Sequence, residues 1–183
     1  MTFSPEEISK MLSIFMSIYS ILYTFSLLLY LPLFVYQMLI QNKRPGNILK
    51  RLRGVRPPST RNNLPRDSIW VHAVSVGEVR AIKPLIDCLD VHPDRLFVST
   101  ITDTGQELAR DLLGDRARIF YFPFDWKWLC QRQLKALRPS VVLLTETEVW
   151  PAFIMAAAAQ SIPVVLINGR ISDRSFRGYQ RFQ

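Results

Sequence analysis

The stretch IWVHAVSVGEVRAIKPLI (residues 69–86) changes its pattern half-way along, and this change decides the fold. Residues 69–74 form an apolar run, which is typical of a strand buried on both faces. From Glu78 onwards, as far as residue 89, apolar side chains recur at helical spacing. Ser75 and Glu78 stand where one pattern gives way to the other. A buried strand followed directly by a helix indicates a βα unit.

The same alternation continues through the chain. Further apolar runs, which we predict to be strands, lie at residues 96–101, 118–122, 141–145 and 164–167. The predicted helices lie at residues 78–89, 105–113, 126–137 and 151–160. Continuous apolar strands separated by helices imply a mostly parallel sheet. We therefore predict an α/β fold, a Rossmann-like doubly wound parallel sheet.

An apolar segment precedes this pattern, and residues 11–42 carry no charge. About 20 apolar residues span a bilayer, so the segment is long enough to cross one. A secretory signal peptide is the alternative, but the apolar run is too long, its start is acidic, and the first alanine is Ala73, which excludes an A-x-A cleavage site. We predict a retained membrane anchor over residues 1–42. Pro32 leaves open whether it spans the membrane or lies partly in the interface.

The positive charge of the chain is concentrated beside that segment. Residues 43–66 hold eight basic residues and no acidic one, and the rest of the chain holds equal numbers of both. The net charge of +8 therefore equals that of residues 43–66, which form most of a basic linker predicted over residues 43–68. Basic residues beside an apolar span mark the cytoplasmic side and attract anionic lipids. We expect the α/β body, residues 69–183, in the cytoplasm. Without a nucleic-acid motif, nucleic acid is not a predicted partner.

Several common site classes find no support in the sequence. There is no G-x-G-x-x-G, P-loop or G-x-S-x-G motif. His72 and His92 are too few for a metal site, and His72 fits a structural imidazole on its strand. Cys88 and Cys130 lack metal-ligand spacing and are interpreted as buried free thiols in a reducing compartment. We predict no metal and no cofactor.

Polar residues follow nearly every predicted strand. In open α/β sheets, ligands bind beyond the carboxyl ends of the strands, so these residues form one candidate rim. The segments concerned are residues 75–78, 102–105, 123–125, 146–151 and 168–170. Four of the five contain a carboxylate. The sequence therefore predicts a ligand site at this edge of the sheet.

The rim residues also have a structural interpretation. Ser75-x-x-Glu78 fits a capping box, in which the serine begins a helix and the glutamate reaches back to it. Thr102 and Asp125 fit N-caps of the helices that follow them. Local rules leave capping and chemistry both open.

The pair Glu146 and Glu148 is harder to explain by capping. Both follow directly on VVLLT, a strand predicted to be buried. Only one acid is needed near the next helix start, and Pro151 already suits a first helical turn. A functional role and a structural role for this pair therefore both stay open.

Five segments, taken in order, resemble the N-terminal half of the Kdo transferases, the 3-deoxy-D-manno-octulosonic acid transferases of lipopolysaccharide synthesis. They are HAVSVGEVRAIKPLI, VSTITDTGQELA, YFPFDW, LLTETEVWPAFI and PVVLINGRISDRSFRGY. The motif SVGE alone carries little weight, whereas the ordered set is specific. The resemblance runs over residues 69–179.

This resemblance implies a GT-B glycosyltransferase at the cytoplasmic face of a bacterial inner membrane, among anionic inner-membrane lipids. The family transfers Kdo from CMP-Kdo to lipid A precursor. Its N-terminal domain binds the lipid acceptor, and its C-terminal domain binds the donor. We therefore expect this chain to be a truncated or split acceptor-side half that transfers no Kdo by itself. The alternatives are another GT-B enzyme acting on a membrane lipid and a non-catalytic, membrane-tethered lipid-binding module.

The resemblance also implies roles for single residues. Glu78 takes the place of the family's general base, which deprotonates the acceptor hydroxyl as its oxygen attacks the anomeric carbon. Glu146 matches a position linked to transition-state stabilisation. Arg170 lies on the same rim and could meet an anionic group of either substrate. The predicted substrate-binding residues are Ser75, Gly77, Thr104, Glu148 and Arg170.

Overall fold

The computed structural model describes residues 4–41, 46–55, 68–146 and 149–169. The chain divides into two compact units, Met1–Leu49 and Lys50–Gln183. Within the predicted linker, residues 43–45 and 56–67 lie outside the described part, whereas α2 (Gly46–Arg53) is a short helix that was not predicted from the sequence. The domain limits at residues 42 and 68 stay a prediction.

Helix α1 (Pro5–Gln41) begins with a reciprocal cap. The Ser4 backbone N–H donates to the Glu7 carboxylate at 2.8 Å, and the Glu7 N–H donates to the Ser4 hydroxyl at 3.3 Å. Within α1, Glu6–Leu33 has a mean hydropathy of 1.9 and is long and apolar enough to cross a membrane. Some signal sequences also pass this test of length and hydropathy, so the membrane anchor stays a prediction.

The second unit contains a five-stranded parallel sheet in the order β3-β2-β1-β4-β5. The strands are β1 (Ser68–His72), β2 (Leu96–Thr100), β3 (Arg118–Tyr121), β4 (Pro139–Thr145) and β5 (Val164–Ile167). The helices between them are α3 (Val76–Cys88), α4 (Asp103–Leu113), α5 (Lys127–Leu137) and α6 (Pro151–Ala158). The chain winds outwards from β1 to one edge and then from β4 to the other. This is the doubly wound order, and it confirms the predicted Rossmann-like sheet.

Each face of the sheet is covered by two helices. Successive strand residues point to opposite faces, so Trp70 and Val71 enter different apolar clusters. Val71 packs with α3 and α4, whereas Trp70 packs with α5 and α6. The Trp70 ring lies 5.2 Å from Phe120 and 5.0 Å from Phe153, centroid to centroid. Because both faces are buried, the strand ends are where polar side chains can gather.

Candidate functional site

The turn after β1 holds a buried carboxylate. Ser75 is the N-cap of α3, and its carbonyl accepts the Val79 N–H at 3.0 Å. The Ser75 hydroxyl donates to Glu78 Oε1 at 2.9 Å, and the Val74 N–H donates to Glu78 Oε2 at 2.8 Å. The capping-box prediction is therefore half right. Ser75 begins the helix and Glu78 reaches back, but Glu78 reaches the residue before the N-cap, and the Ser75 side chain caps no backbone N–H.

Glu78 is only 5% exposed, although it stands at the edge of the sheet. Within the described residues, no cationic side chain lies within ion-pair distance of its carboxylate. Two neutral donors and the positive end of α3 hold the charge instead. A carboxylate has about four lone-pair sites, so two such bonds leave room for it to accept a proton. Glu78 is thus oriented by the fold before any substrate arrives.

The neighbouring turn, between β2 and α4, supports the first one. Thr102 is the N-cap of α4, since its hydroxyl oxygen accepts the Gly105 N–H at 3.1 Å, as predicted. The same hydroxyl donates to the Val74 carbonyl at 3.3 Å. A Cβ added to Gly105 would lie 2.7 Å from Thr102 Oγ1 and 3.4 Å from the Val74 oxygen. A side chain at position 105 would therefore displace the Thr102 hydroxyl that caps α4, although it would only touch the turn after β1. This requirement for glycine was not predicted from the sequence. A glycine in a first helical turn, where other residues serve better, was the available signal.

Glu146 follows β4, the strand beside β1, and has an unusual backbone. Its φ is 61°, in the left-handed region that non-glycine residues rarely adopt. Its N–H donates to the Ile167 carbonyl at 2.9 Å, and the preceding Thr145 hydroxyl donates to the His72 carbonyl at 2.7 Å. These bonds tie the ends of β1, β4 and β5 together and fix the left-handed residue. Glu146 is half-buried at the same edge as the β1 turn.

The structure distributes the predicted site residues unevenly. Ser75, Gly77 and Glu78 share one turn after β1, and Glu146 ends the adjacent strand. Thr104 is exposed in the first turn of α4. Two of the predicted residues, Glu148 and Arg170, lie outside the described residues.

The prediction for Asp125 is wrong. The N-cap of α5 is Trp126, and the fully buried Asp125 caps a different helix. Its carboxylate accepts the Phe153 N–H at 2.7 Å and the Ala152 N–H at 3.0 Å, both in the first turn of α6. The Cys130 thiol also points to it, at 3.6 Å. This rim carboxylate is therefore structural, and it fixes the start of the helix that follows the Glu146 segment.

His72 is buried at the end of β1, as a structural imidazole would be. Its Nδ1 lies 3.0 Å from Ser99 Oγ, and its ring stacks on Phe122 with centroids 3.9 Å apart. Burial lowers the pKa of His72 to about 3, so the ring is neutral near pH 7. Its Nε2 and the buried Trp150 Nε1 have no hydrogen-bond partner in the described part of the chain.

The two thiols differ from each other. Both are free, and Cys130 is buried as predicted, but Cys88 is exposed. Burial, with the nearby Asp125 carboxylate, raises the pKa of the Cys130 thiol, which keeps it protonated and inert. Across the described residues, no group of three His, Cys, Asp or Glu side chains is placed to hold a metal ion.

Residues 46–183 match the protein family described as 3-deoxy-D-manno-octulosonic-acid transferase (kdotransferase). The chain belongs to this family. It is 34% identical over 121 residues to the 3-deoxy-D-manno-octulosonic acid transferase of Haemophilus influenzae, covering 65% of this chain and 28% of that protein. The Chlamydia pneumoniae transferase of the same name is 28% identical over 170 residues, 91% of this chain and 38% of the relative.

A third relative is a bifunctional glycosyltransferase/methyltransferase of Fusobacterium nucleatum, 34% identical over 118 residues. That match covers 63% of this chain and 18% of the relative. The chain thus spans less than two fifths of the length of these relatives. The Kdo transferase resemblance inferred from the five segments is confirmed, and all described parts of the Glu78 turn lie inside the matched region.

Proposed function

We propose that this chain is the acceptor-side half of a GT-B glycosyltransferase that transfers Kdo from CMP-Kdo to lipid A precursor in lipopolysaccharide core synthesis. Membership of the Kdo transferase family supports the sugar and the reaction. The observation that carries the proposal is Glu78, a buried carboxylate held by two hydrogen bonds at the carboxyl end of β1. Open α/β sheets bind their ligands at this edge.

In the proposed reaction, Glu78 acts as the general base. It takes the proton of the acceptor hydroxyl while that oxygen forms a bond to the anomeric carbon of Kdo. The bond between the anomeric carbon and the CMP phosphate oxygen breaks, and its electron pair leaves with CMP. Val74 and Ser75 hold the carboxylate in position, so no reorganisation is needed at the moment of reaction. Glu146, on the adjacent strand end, contributes transition-state stabilisation.

The acceptor is proposed to lie against the first turn of α3. Gly77 is exposed, and a Cβ added there would touch only Ser75 Oγ, at 3.9 Å, so this turn has open space in front of it. Ser75, Thr104, Glu148 and Arg170 are proposed to contribute further contacts. No cofactor or metal enters the proposed step.

The proposed location is the cytoplasmic face of a bacterial inner membrane. The apolar helix α1 would anchor the chain, and the basic residues that follow it in sequence would contact anionic lipids. The donor pocket for CMP-Kdo is proposed to be on a second GT-B domain.

A fusion to the C-terminal half of the Haemophilus influenzae transferase tests this function. The fused protein, in detergent micelles, is incubated with lipid A precursor and either CMP-Kdo or UDP-sugars, and the product is weighed by mass spectrometry. We expect addition of Kdo from CMP-Kdo only, and no product from the unfused chain. Transfer from a UDP-sugar would indicate a different GT-B enzyme, and efficient transfer by the unfused chain would contradict a half-enzyme.

A binding measurement separates the enzyme from a non-catalytic module. The unfused chain in micelles is titrated with lipid A precursor, and saturable binding is expected because the acceptor side is present. Binding together with an inactive fusion would favour the module. Absence of binding would contradict the acceptor-side assignment.

A further inference from the structure

A concave surface, separate from the Glu78 turn, lies at the β3 edge of the sheet, two strands away from β1. The last turn of α2, the middle of α4 and strand β3 enclose about 300 Å³ there. All of these residues belong to the second unit. Neither the Glu78 turn nor any residue predicted for Kdo transfer lines this cavity.

Three cationic side chains surround the cavity. Lys50 and Arg53 come from α2, Arg110 comes from α4, and all three are exposed. Within the described residues, none of them is in a salt bridge. The Lys50 ammonium lies 5.5 Å from the centre of the Tyr121 ring, which places it over the β3 wall. Unpaired cations converging on a concave surface attract and focus anions.

A buried amide forms part of the same cavity wall. Gln106 is fully buried, and its Oε1 accepts the Thr100 hydroxyl, which leaves its Nε2 as the free end of the amide. Nε2 has no hydrogen-bond partner in the described ranges. A buried N–H donor without an acceptor is costly, so such groups generally find one in a bound molecule or water. Gln106 therefore places an unpartnered donor in the wall of the cavity that the exposed cations surround.

Two acids lie near the cavity, but neither lines it. The Asp103 carboxylate accepts the Tyr121 hydroxyl at 2.6 Å, so one of its oxygens is directed at that hydroxyl. Glu107 is exposed on α4 and makes no ion pair within the described residues. The side chains that line the cavity therefore carry three positive charges and no negative one.

We propose that this cavity binds a phosphate group. Guanidinium groups match the geometry of phosphate oxygens and donate to two of them at once, and lysine adds a compact charge. The volume exceeds that of a bare phosphate and leaves room for the group to which it is esterified. The phosphate can come from a membrane lipid headgroup or from solution, and both sources share this chemistry. Lys50 and Arg53 belong to the basic segment proposed above to contact anionic lipids, so the lipid-headgroup source rests on that proposal. Neither source depends on Kdo transfer.

Calorimetric titration of the full chain in dodecyl maltoside micelles tests the site. The probes are inorganic phosphate and dihexanoyl phosphatidic acid, with dihexanoyl phosphatidylcholine as the lipid that lacks a phosphate monoester. The variant Arg53→Gln with Arg110→Gln removes two cations from the cavity. Its affinity for phosphate is expected to fall roughly 10- to 100-fold, the factor for a hydrogen bond to a charged group.

The matched control, Arg95→Gln with Lys135→Gln, removes the same charge from exposed positions outside the cavity and is expected to change affinity by about twofold or less. Melting temperatures without ligand confirm that both variants fold. Tighter binding of phosphatidic acid than of inorganic phosphate would assign the site to lipid headgroups, and equal binding would assign it to free phosphate. The proposal would be overturned if neither inorganic phosphate nor phosphatidic acid bound saturably. It would also be overturned if the control variant lost as much affinity as the cavity variant.

Discussion

The pattern Ser-x-x-Glu occurs at residues 4–7 and again at residues 75–78, and the two copies behave differently. In the first copy, backbone and side chain exchange hydrogen bonds between Ser4 and Glu7, and both residues are exposed. In the second copy, the carboxylate of Glu78 is buried and accepts the Ser75 hydroxyl, which therefore caps no backbone N–H. One copy caps a helix, whereas the other fixes a carboxylate.

The cause of this difference lies outside the four residues. Ser75 follows a strand buried on both faces, and the chain leaves that strand with the Val74 N–H directed at the Glu78 carboxylate. The Val74 carbonyl is held from the other side by the turn at Thr102. A local motif thus becomes a positioned, buried carboxylate when its neighbours fix the backbone before it. Five experiments test this contrast.

The largest effect is expected from removing the charge of the second glutamate. In the fused transferase, Glu78→Gln should lower Kdo transfer about 10²- to 10⁴-fold, because the amide cannot accept the proton. Folding should be nearly unchanged, since the amide oxygen can still accept one of the two hydrogen bonds. Glu7→Gln is the matched control and should leave the transfer rate unchanged. Equal activity of both variants would reduce Glu78 to a structural residue.

Asp125 caps α6 although it lies far from that helix in the sequence. Its removal should lower the free energy of unfolding more than removal of a local cap would. Asp125→Ala should lower the free energy of unfolding by roughly 2–4 kcal/mol, because two N–H groups of α6 lose a charged acceptor in the core. The measurement is urea unfolding followed by tryptophan fluorescence. As a control, Asp87→Ala removes an exposed partner of Lys83 and should cost about 1 kcal/mol or less. Similar costs for the two would mean that α6 finds other partners.

Acid should lower the free energy of unfolding near the second copy, residues 75–78, through His72. This residue ends β1 just before that copy. The folded pKa of about 3 lies below the ordinary value of 6.5, so this contribution to stability is present above about pH 6.5 and is lost as the pH falls towards 3. Between about pH 7.5 and pH 5 the loss should be roughly 2 kcal/mol.

The variant His72→Asn identifies the source of this acid sensitivity. It keeps a donor near Ser99 but cannot take up the proton, so its urea midpoint should depend less on pH. His92→Gln, at an exposed imidazole, should retain the full dependence. Unchanged acid sensitivity in His72→Asn would exclude His72 as the source.

Two glycines distinguish a crowded turn from an open one. Gly105→Ala should cost about 1–3 kcal/mol, because its Cβ would lie only 2.7 Å from Thr102 Oγ1 and would displace that cap. Gly77→Ala should instead stabilise the body by up to about 1 kcal/mol, since it reduces the freedom of the unfolded chain and meets no crowding. Thermal unfolding by circular dichroism compares them. A stabilising Gly105→Ala would show that the Thr102 hydroxyl can move aside without cost.

The smallest effects are expected at the two serines. Ser4→Ala removes a true N-cap and should cost α1 about 1 kcal/mol, seen as faster amide hydrogen exchange in its first turn. Ser75→Ala removes only a hydroxyl from the carboxylate, at a cost of about 0.5–1.5 kcal/mol to the body. Its first-turn N–H groups should exchange as before, because the hydroxyl does not cap them. Faster exchange there would mean that Ser75 is an ordinary cap.

Much of the fold could be predicted because burial on both faces of a sheet leaves continuous apolar runs in the sequence. All five strands and the four helices between them were predicted, with ends that differ by a few residues. Helix α2 was missed because it is short, polar and rich in Lys and Arg. The strand order could be predicted only as a class, since pairing depends on contacts between distant segments.

The site was predictable only in part, and the reason is physical. Glu78 could be placed at the strand end by the pattern, but its bond to Val74 depends on the backbone direction that the folded strand imposes. The role of Asp125 depends on a helix that begins 26 residues later, so a local capping rule assigned it to the wrong helix. Long-range hydrogen bonds of this kind leave no periodic signal in the sequence.

The central place of β1 also sets an order of events during synthesis. Ile69 of β1 pairs with Leu96 of β2 on one side and with Val141 of β4 on the other. The strand that is synthesised first therefore acquires its second neighbour only after β4 has been made. Pairing over such separations closes slowly, because much of the chain must be ordered at once. The growing chain exposes the apolar helix α1 to its surroundings well before the sheet can close. The strand that leads into the Glu78 turn is therefore completed late, when the segment that would anchor the protein has already emerged from the ribosome.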